Sequence, residues 1–193
     1  VCISPNRFYI QDSKKDEFVN KFIEKTKKLK IGNGMEQDVQ LGPITTLKRL
    51  GEIEELVEIT KKEGAKVLIG GKRPSGFNKG YFYEPTVFDD VYDNFTIMKT
   101  EPFGPLVPML SFKSFDEVVE RANNNDLGLC SYIYTNSMEK AHKASELMET
   151  GCVAVNTPTV AIAEAPFGGI KQTGYGREGG SMAIKDYLNI KYT

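Results

Sequence analysis

At 193 residues, 40% of them apolar and 26% charged, the chain is long enough for one sizeable core and has the composition of a soluble globular protein. Lys and Arg number 25 against 26 Asp and Glu, a formal net charge of -1, so neither nucleic acid nor an anionic membrane is implied as a partner. Three cysteines leave one unpaired in any disulfide scheme and the single histidine offers no zinc cluster, so a reducing, cytoplasmic compartment and no bound metal are expected.

Along the chain a period of 2 gives way repeatedly to a period of 3.6, the pattern of alternating strands and helices. No apolar run approaches a membrane span, and the first residues already read as strand rather than signal peptide. RFYIQ, 7–11, is the opening strand. Ser13 with Asp16 then forms a weak capping box for a helix carrying Phe18, Val19, Phe22, Ile23 and Leu29 and ending near the glycines of IGNG. Its lysines, from Lys21 to Lys30, read as a solvated face. Thr46 is placed to cap a second helix with the stripe Leu47, Leu50, Ile53 and Val57.

AKVLIGG is a strand running into a glycine turn. Pro85 argues against a central ladder position for its part of YFYEPTVFDDV, and Pro108 marks LVPMLSF as a bent or edge strand. Ser114 with Glu117 boxes the next helix, SYIYT is a strand, and Asn136 with Glu139 caps a helix that buries Ala141, Ala144, Leu147 and Met148. CVAVN and the closing YLNIKYT are strands. The glycine-rich span 157–180 has neither period, which is costly unless packing or a ligand orders it.

Local chemistry leaves the candidate sites ambiguous. Cys2 has no titratable neighbour in sequence, and a buried small hydrophobe competes with a nucleophile; Cys130 and Cys152 read as core. His142 reads as a surface residue. Glu101 is a loop acid or a ligand contact, placed beside two prolines that preset the backbone, and Phe103 and Phe167 are core plugs or substrate contacts. GGIKQTG and GYGREGG match neither the phosphate-loop nor the dinucleotide fingerprint, which favours close loop packing over anion binding.

Strings across the whole chain alter that balance. VCISPNRFYI, LGPI, GGKRPSGFNKGYFYEPTVFDDV, TEPFGPLVP, RANNNDLGL, VAVN and APFGGIKQTGYGREGG together resemble, in order, the carboxyl-terminal portion of the aldehyde dehydrogenase superfamily. Leu127 stands where that family has an aromatic. The resemblance implies an α/β, three-layer sandwich with a mostly parallel sheet, with residues 1–180 as the thiol-bearing catalytic domain. It implies that 181–193 carry an oligomerisation strand, and that the nucleotide-binding domain, a general-base Glu and an oxyanion Asn lie outside the chain. The expected parent is a homodimer or homotetramer whose isolated part is inactive.

By the same resemblance Cys2 is the catalytic thiol, Glu101 bonds the nicotinamide-side ribose of NAD or NADP, and Phe103 packs near the nicotinamide. Ala161, Ile162 and Phe167 belong to the substrate tunnel of a small aldehyde. The ending is similar to succinic-semialdehyde-type members. Ala161, Ile162 and Ala163 nevertheless supply no hydroxyl for a distal carboxylate, and a small aliphatic or hydroxy aldehyde fits at least as well. A non-catalytic assembly domain and an acylating branch that hands its thioester to coenzyme A are the alternatives.

Overall fold

The structure is a computed structural model that describes residues 1–193. The chain forms two compact units, one of residues Asn6–Ser114 and one that joins Val1–Pro5 to Phe115–Thr193. No helix is long and apolar enough to cross a membrane.

The unit Asn6–Ser114 contains β1 (Phe8–Gln11), α1 (Lys15–Thr26), α2 (Leu47–Lys62), β2 (Lys66–Ile69), β3 (Thr86–Asp89), α3 (Thr96–Lys99) and β4 (Leu106–Phe112). Its sheet runs in the order β1-β4-β3-β2; β4 is parallel to both β1 and β3, and only β2 is antiparallel. Alternation along each strand splits the core between two faces. Phe88 and Leu110 pack with Leu50, Ile53 and Val57 of α2 and Ile97 of α3, whereas Val87 and Met109 pack with Val19, Phe22 and Ile23 of α1. Helices thus cover both faces of a mixed, mostly parallel sheet, the α/β layering expected.

Pro108 does not mark an edge. It is fully buried in the second strand of the sheet, and its place is explained by where the ladders meet. Residues 106–108 pair with β3 and residues 109–112 with β1, so the residue without an N–H falls at the handover. Pro85 likewise sits just outside β3, which occupies the interior of the sheet from Thr86 onward.

Thr46 caps α2 as expected, its Oγ1 accepting from Arg49 N at 3.1 Å, and Leu50, Ile53 and Val57 are buried while Leu47 stays exposed. The start of α1 differs. Residues 12–14 wind as a 3-10 turn, the helix begins after the Ser13 box, and no side chain caps it; Asp16 and Glu17 instead face the positive end of the helix dipole. The helix also stops at Thr26, well before the glycines at 32 and 34, neither of which has positive φ. Leu29 is consequently exposed, and Ile31 bridges Leu41.

The second unit holds α4 (Phe115–Asn123), β5 (Leu127–Gly128), β6 (Cys130–Ile133), α5 (Met138–Leu147), β7 (Cys152–Val155) and β8 (Ile170–Lys171). Helix α5 is the crossover between β6 and β7, which pair in parallel, and β5 pairs antiparallel with β8. The cap of α5 is Ser137, one residue beyond the expected Asn136, with its Oγ accepting from Lys140 N at 3.3 Å. Ala141 and Ala144 are buried, but Leu147 is exposed because the helix ends there. The closing residues are not a strand. A 3-10 turn over Ala183–Tyr187 leads into residues with no partner in the sheet, and Ile190 and Tyr192 are fully exposed.

Two glycines test the backbone from opposite sides. Gly51 lies in α2 with nothing within 4 Å of an added Cβ, so Gly51→Ala should stabilise by roughly 0.5–1 kcal/mol. Gly70 has φ +78°, and its Cβ would stand 2.2 Å from Pro85 O, so Gly70→Ala should destabilise by at least about 2 kcal/mol. Urea denaturation midpoints measure both.

Candidate active site

Cys2 is exposed in a turn closed by Ser4 N donating to Val1 O at 3.1 Å. The turn is tied down from β6, where the Tyr132 hydroxyl donates to the carbonyl of Ile3 at 2.6 Å. Residues 130 and 132 share one face of β6, and their register partners on β7 are Cys152 and Ala154. Cys2 lies close enough to Cys130 and Tyr132 to act on both electrostatically. Burial pushes the Cys130 thiol up to about 12, with the neighbouring Cys152 adding to the shift. Burial likewise holds the Tyr132 phenol at about 12, helped by the charge that thiolates at Cys130, Cys152 and Cys2 would carry. Cys130 and Cys152 are both half-buried on the paired strands, and Cys152 Sγ donates to Gly168 O at 3.6 Å. The Tyr132 contact escaped the sequence, since nothing in SYIYT indicates that a phenol reaches a carbonyl 129 residues earlier.

The span after β7 is ordered by packing. Asn156, at φ +56°, accepts from Thr135 N and donates to Thr135 O, both at 2.9 Å, closing the end of the β6–β7 pair. Ala161, Ile162 and Ala163 are exposed, and Gly180 N donates to Ala163 O at 2.8 Å. Phe167 is half-buried in a two-way backbone bridge with Glu178, at 2.7 and 2.8 Å, so it is neither loose nor a full core plug.

The glycines of this span allow backbones to touch. A Cβ on Gly151 would lie 1.9 Å from Gly168 O, and one on Gly168 would lie 2.2 Å from Gly176 O. Its two cations are committed internally: Lys171 Nζ reaches Asn123 O, Asn125 O and the Glu149 carboxylate at 2.8, 3.1 and 2.5 Å. Arg177 Nη1 donates to Gly169 O and Gly176 O at 2.9 and 2.7 Å. Close loop packing, not an anion cradle, accounts for the motif. His142 is a surface residue on α5, 3.6 Å from Glu146.

In the other unit Glu101 is exposed and Pro102 buried, and Phe103 is 48% exposed at φ +37°. Phe103 is therefore not a core plug. A bulky side chain at such a φ is strained, and its neighbours hold it there. Gly104 packs so tightly on α2 that a Cβ would fall 2.6 Å from Ile53 Cδ1, and Thr86 N binds Pro105 O at 2.8 Å. The backbone presents a carboxylate and an aromatic ring outward on a rigid support.

The sequence profile of the aldehyde dehydrogenase family matches residues 1–193, and the chain belongs to that family. It is 42% identical over 191 residues to the glutarate-semialdehyde dehydrogenase of Pseudomonas putida, covering 99% of this chain and 39% of that protein. It is 43% identical to aldehyde dehydrogenase 1A1 of Bos taurus, covering 98% of this chain and 38% of the relative. Among solved structures an NADP-dependent enzyme of E. coli superposes with a TM-score of 0.96 at 38% identity, over all of this chain and 40% of the other. The chain thus spans about two fifths of the length of the relatives it matches.

The thiols should separate by reactivity. At pH 8 only about one Cys130 in ten thousand is thiolate, so iodoacetamide should label exposed Cys2 at least about tenfold faster. Labelling of Cys130 should then rise about tenfold per pH unit until pH nears 12, as followed by peptide mass spectrometry.

Proposed function

We propose that this chain is the thiol-bearing catalytic portion of an NAD(P)-dependent aldehyde dehydrogenase, with Cys2 as the nucleophile. The observation that carries the reading is an exposed cysteine on an anchored turn, beside a strand thiol, Cys130, that burial pushes up to about 12. The Cys2 thiolate attacks the aldehyde carbon; a C–S bond forms and the carbonyl oxygen becomes an oxyanion, which the Cys2 backbone N–H helps to hold. Collapse of that adduct expels hydride and leaves a thioester on Cys2. Water then attacks the thioester, releasing the carboxylic acid and the thiol. Over the cycle one aldehyde and one water give one carboxylate, one hydride transferred and two protons.

Bound NAD(P) supplies the hydride acceptor. Glu101 and Phe103 suit the ribose and nicotinamide end of such a cofactor, the carboxylate accepting from hydroxyls and the ring offering a flat apolar face. Strain at Phe103 supports this, a sparsely populated backbone angle being held at a half-exposed aromatic. Ala161, Ile162 and Phe167 line the aldehyde's approach. Residues 157–164 carry no cation and a single acid, Glu164, which favours a small uncharged aldehyde over one with a distal carboxylate. Exposed Leu188, Ile190 and Tyr192 supply a strand for a second copy, giving a homodimer or homotetramer. Free thiols suit a reducing cytoplasm.

In the full-length enzyme Cys2→Ser should lower kcat by at least about a thousandfold with aldehyde and NAD or NADP, and retention of the rate would reject the reading. Glu101→Gln should raise the KM for the dinucleotide about tenfold while leaving the aldehyde KM within about twofold, as steady-state kinetics with each substrate varied will show.

A further inference from the structure

We infer that Tyr132 is a positioning residue for the nucleophile, holding the Cys2 turn through the carbonyl of Ile3; the inference rests on Cys2 being the catalytic thiol. The side chain of Tyr132 spans from β6 to the residue that follows Cys2, with its hydroxyl 2.6 Å from Ile3 O. Within the turn itself, the bond from Ser4 N to Val1 O at 3.1 Å joins two exposed residues, where water competes for both groups. The phenol therefore ties an exposed turn to a paired strand, and Cys2 lies within the segment it secures.

The support behind Tyr132 is rigid. Cys130, on the same face of β6, and Tyr132 pair with Cys152 and Ala154 in an unbroken parallel register, and Ala154 is buried. On the opposite face Ser131 is fixed separately, its Oγ 3.0 Å from Thr150 Oγ1. The phenol also keeps its proton throughout the range in which a thiolate nucleophile operates, so the anchor does not switch off as the medium becomes alkaline. A nucleophile's rate depends steeply on where its atom stands, and a displacement of an ångström costs orders of magnitude. The Cys2 backbone N–H, which points according to the same turn, would be displaced with the thiol.

The test is Tyr132→Phe in the full-length enzyme, beside Ser131→Ala as a variant on the other face of the strand. Tyr132→Phe should lower kcat about tenfold and leave the aldehyde KM within about twofold, because the ring and its packing remain while the turn loses its tether. Amide hydrogen exchange in the peptide spanning Cys2 should quicken in this variant, with the melting temperature little changed, and Ser131→Ala should match the parent in both. A Tyr132→Phe enzyme with unchanged kcat overturns the inference. So does one whose kcat and melting temperature fall together while exchange around Cys2 stays as in the parent, since that is a folding defect. Cys2→Ser run alongside separates the two levels: if it abolishes turnover while Tyr132→Phe keeps the full rate, only the role of Tyr132 fails, and if it retains turnover, the function itself fails.

Discussion

The parallel register of β6 against β7 is the constraint on which the thiol-bearing unit depends. It sets Cys130 opposite Cys152 and Tyr132 opposite Ala154, which places the phenol where it meets Ile3. At the far end it sets Thr135 against Asn156, whose amide returns both hydrogen bonds of that backbone before the chain enters the exposed loop. A slip of one residue would turn Tyr132 to the other face and release the Cys2 turn. Beside this pairing the backbones of Gly151 and Gly168 touch, with no room for a side chain at Gly151.

The same economy governs the motif-rich end of the chain. Lys171 and Arg177 stand in a glycine run that invites an anion, yet their charges are spent on four backbone carbonyls and the Glu149 carboxylate. Such cations substitute for the regular hydrogen bonding that an irregular segment lacks. They tie a span with no period of its own to the turns around Asn123, Asn125 and Glu149 and to its own backbone. In the other unit the equivalent device is steric: buried Pro102 and the contact of Gly104 with Ile53 fix a strained Phe103 facing outward.

Much of the fold was legible because its signals are local. Thr46 before an apolar stripe specified α2, and the short apolar run LVPMLSF specified β4. What failed depended on distant partners. Pro108 read as the mark of a bent or edge strand because the exchange of neighbours along β4 is a property of β1 and β3, not of its own sequence. YLNIKYT has strand composition and no strand to join within the chain. Asn136 and Ser137 are both competent caps, and the backbone of the turn chose the second. The site was less legible than the fold. Cys2 had no local credentials, its candidacy came from motifs elsewhere in the chain, and the phenol that anchors it is 129 residues away from Ile3.

The central claim is that an acyl group passes through the sulfur of Cys2. Acid quenching of the full-length enzyme during turnover with aldehyde and NAD or NADP, followed by peptide mass spectrometry, measures this directly. The peptide containing Cys2 should carry the mass of the acyl group, labile to hydroxylamine, while those containing Cys130 and Cys152 remain unmodified. Turnover with no acyl group on Cys2 under conditions that trap thioesters, or acylation of another residue in its place, would contradict it.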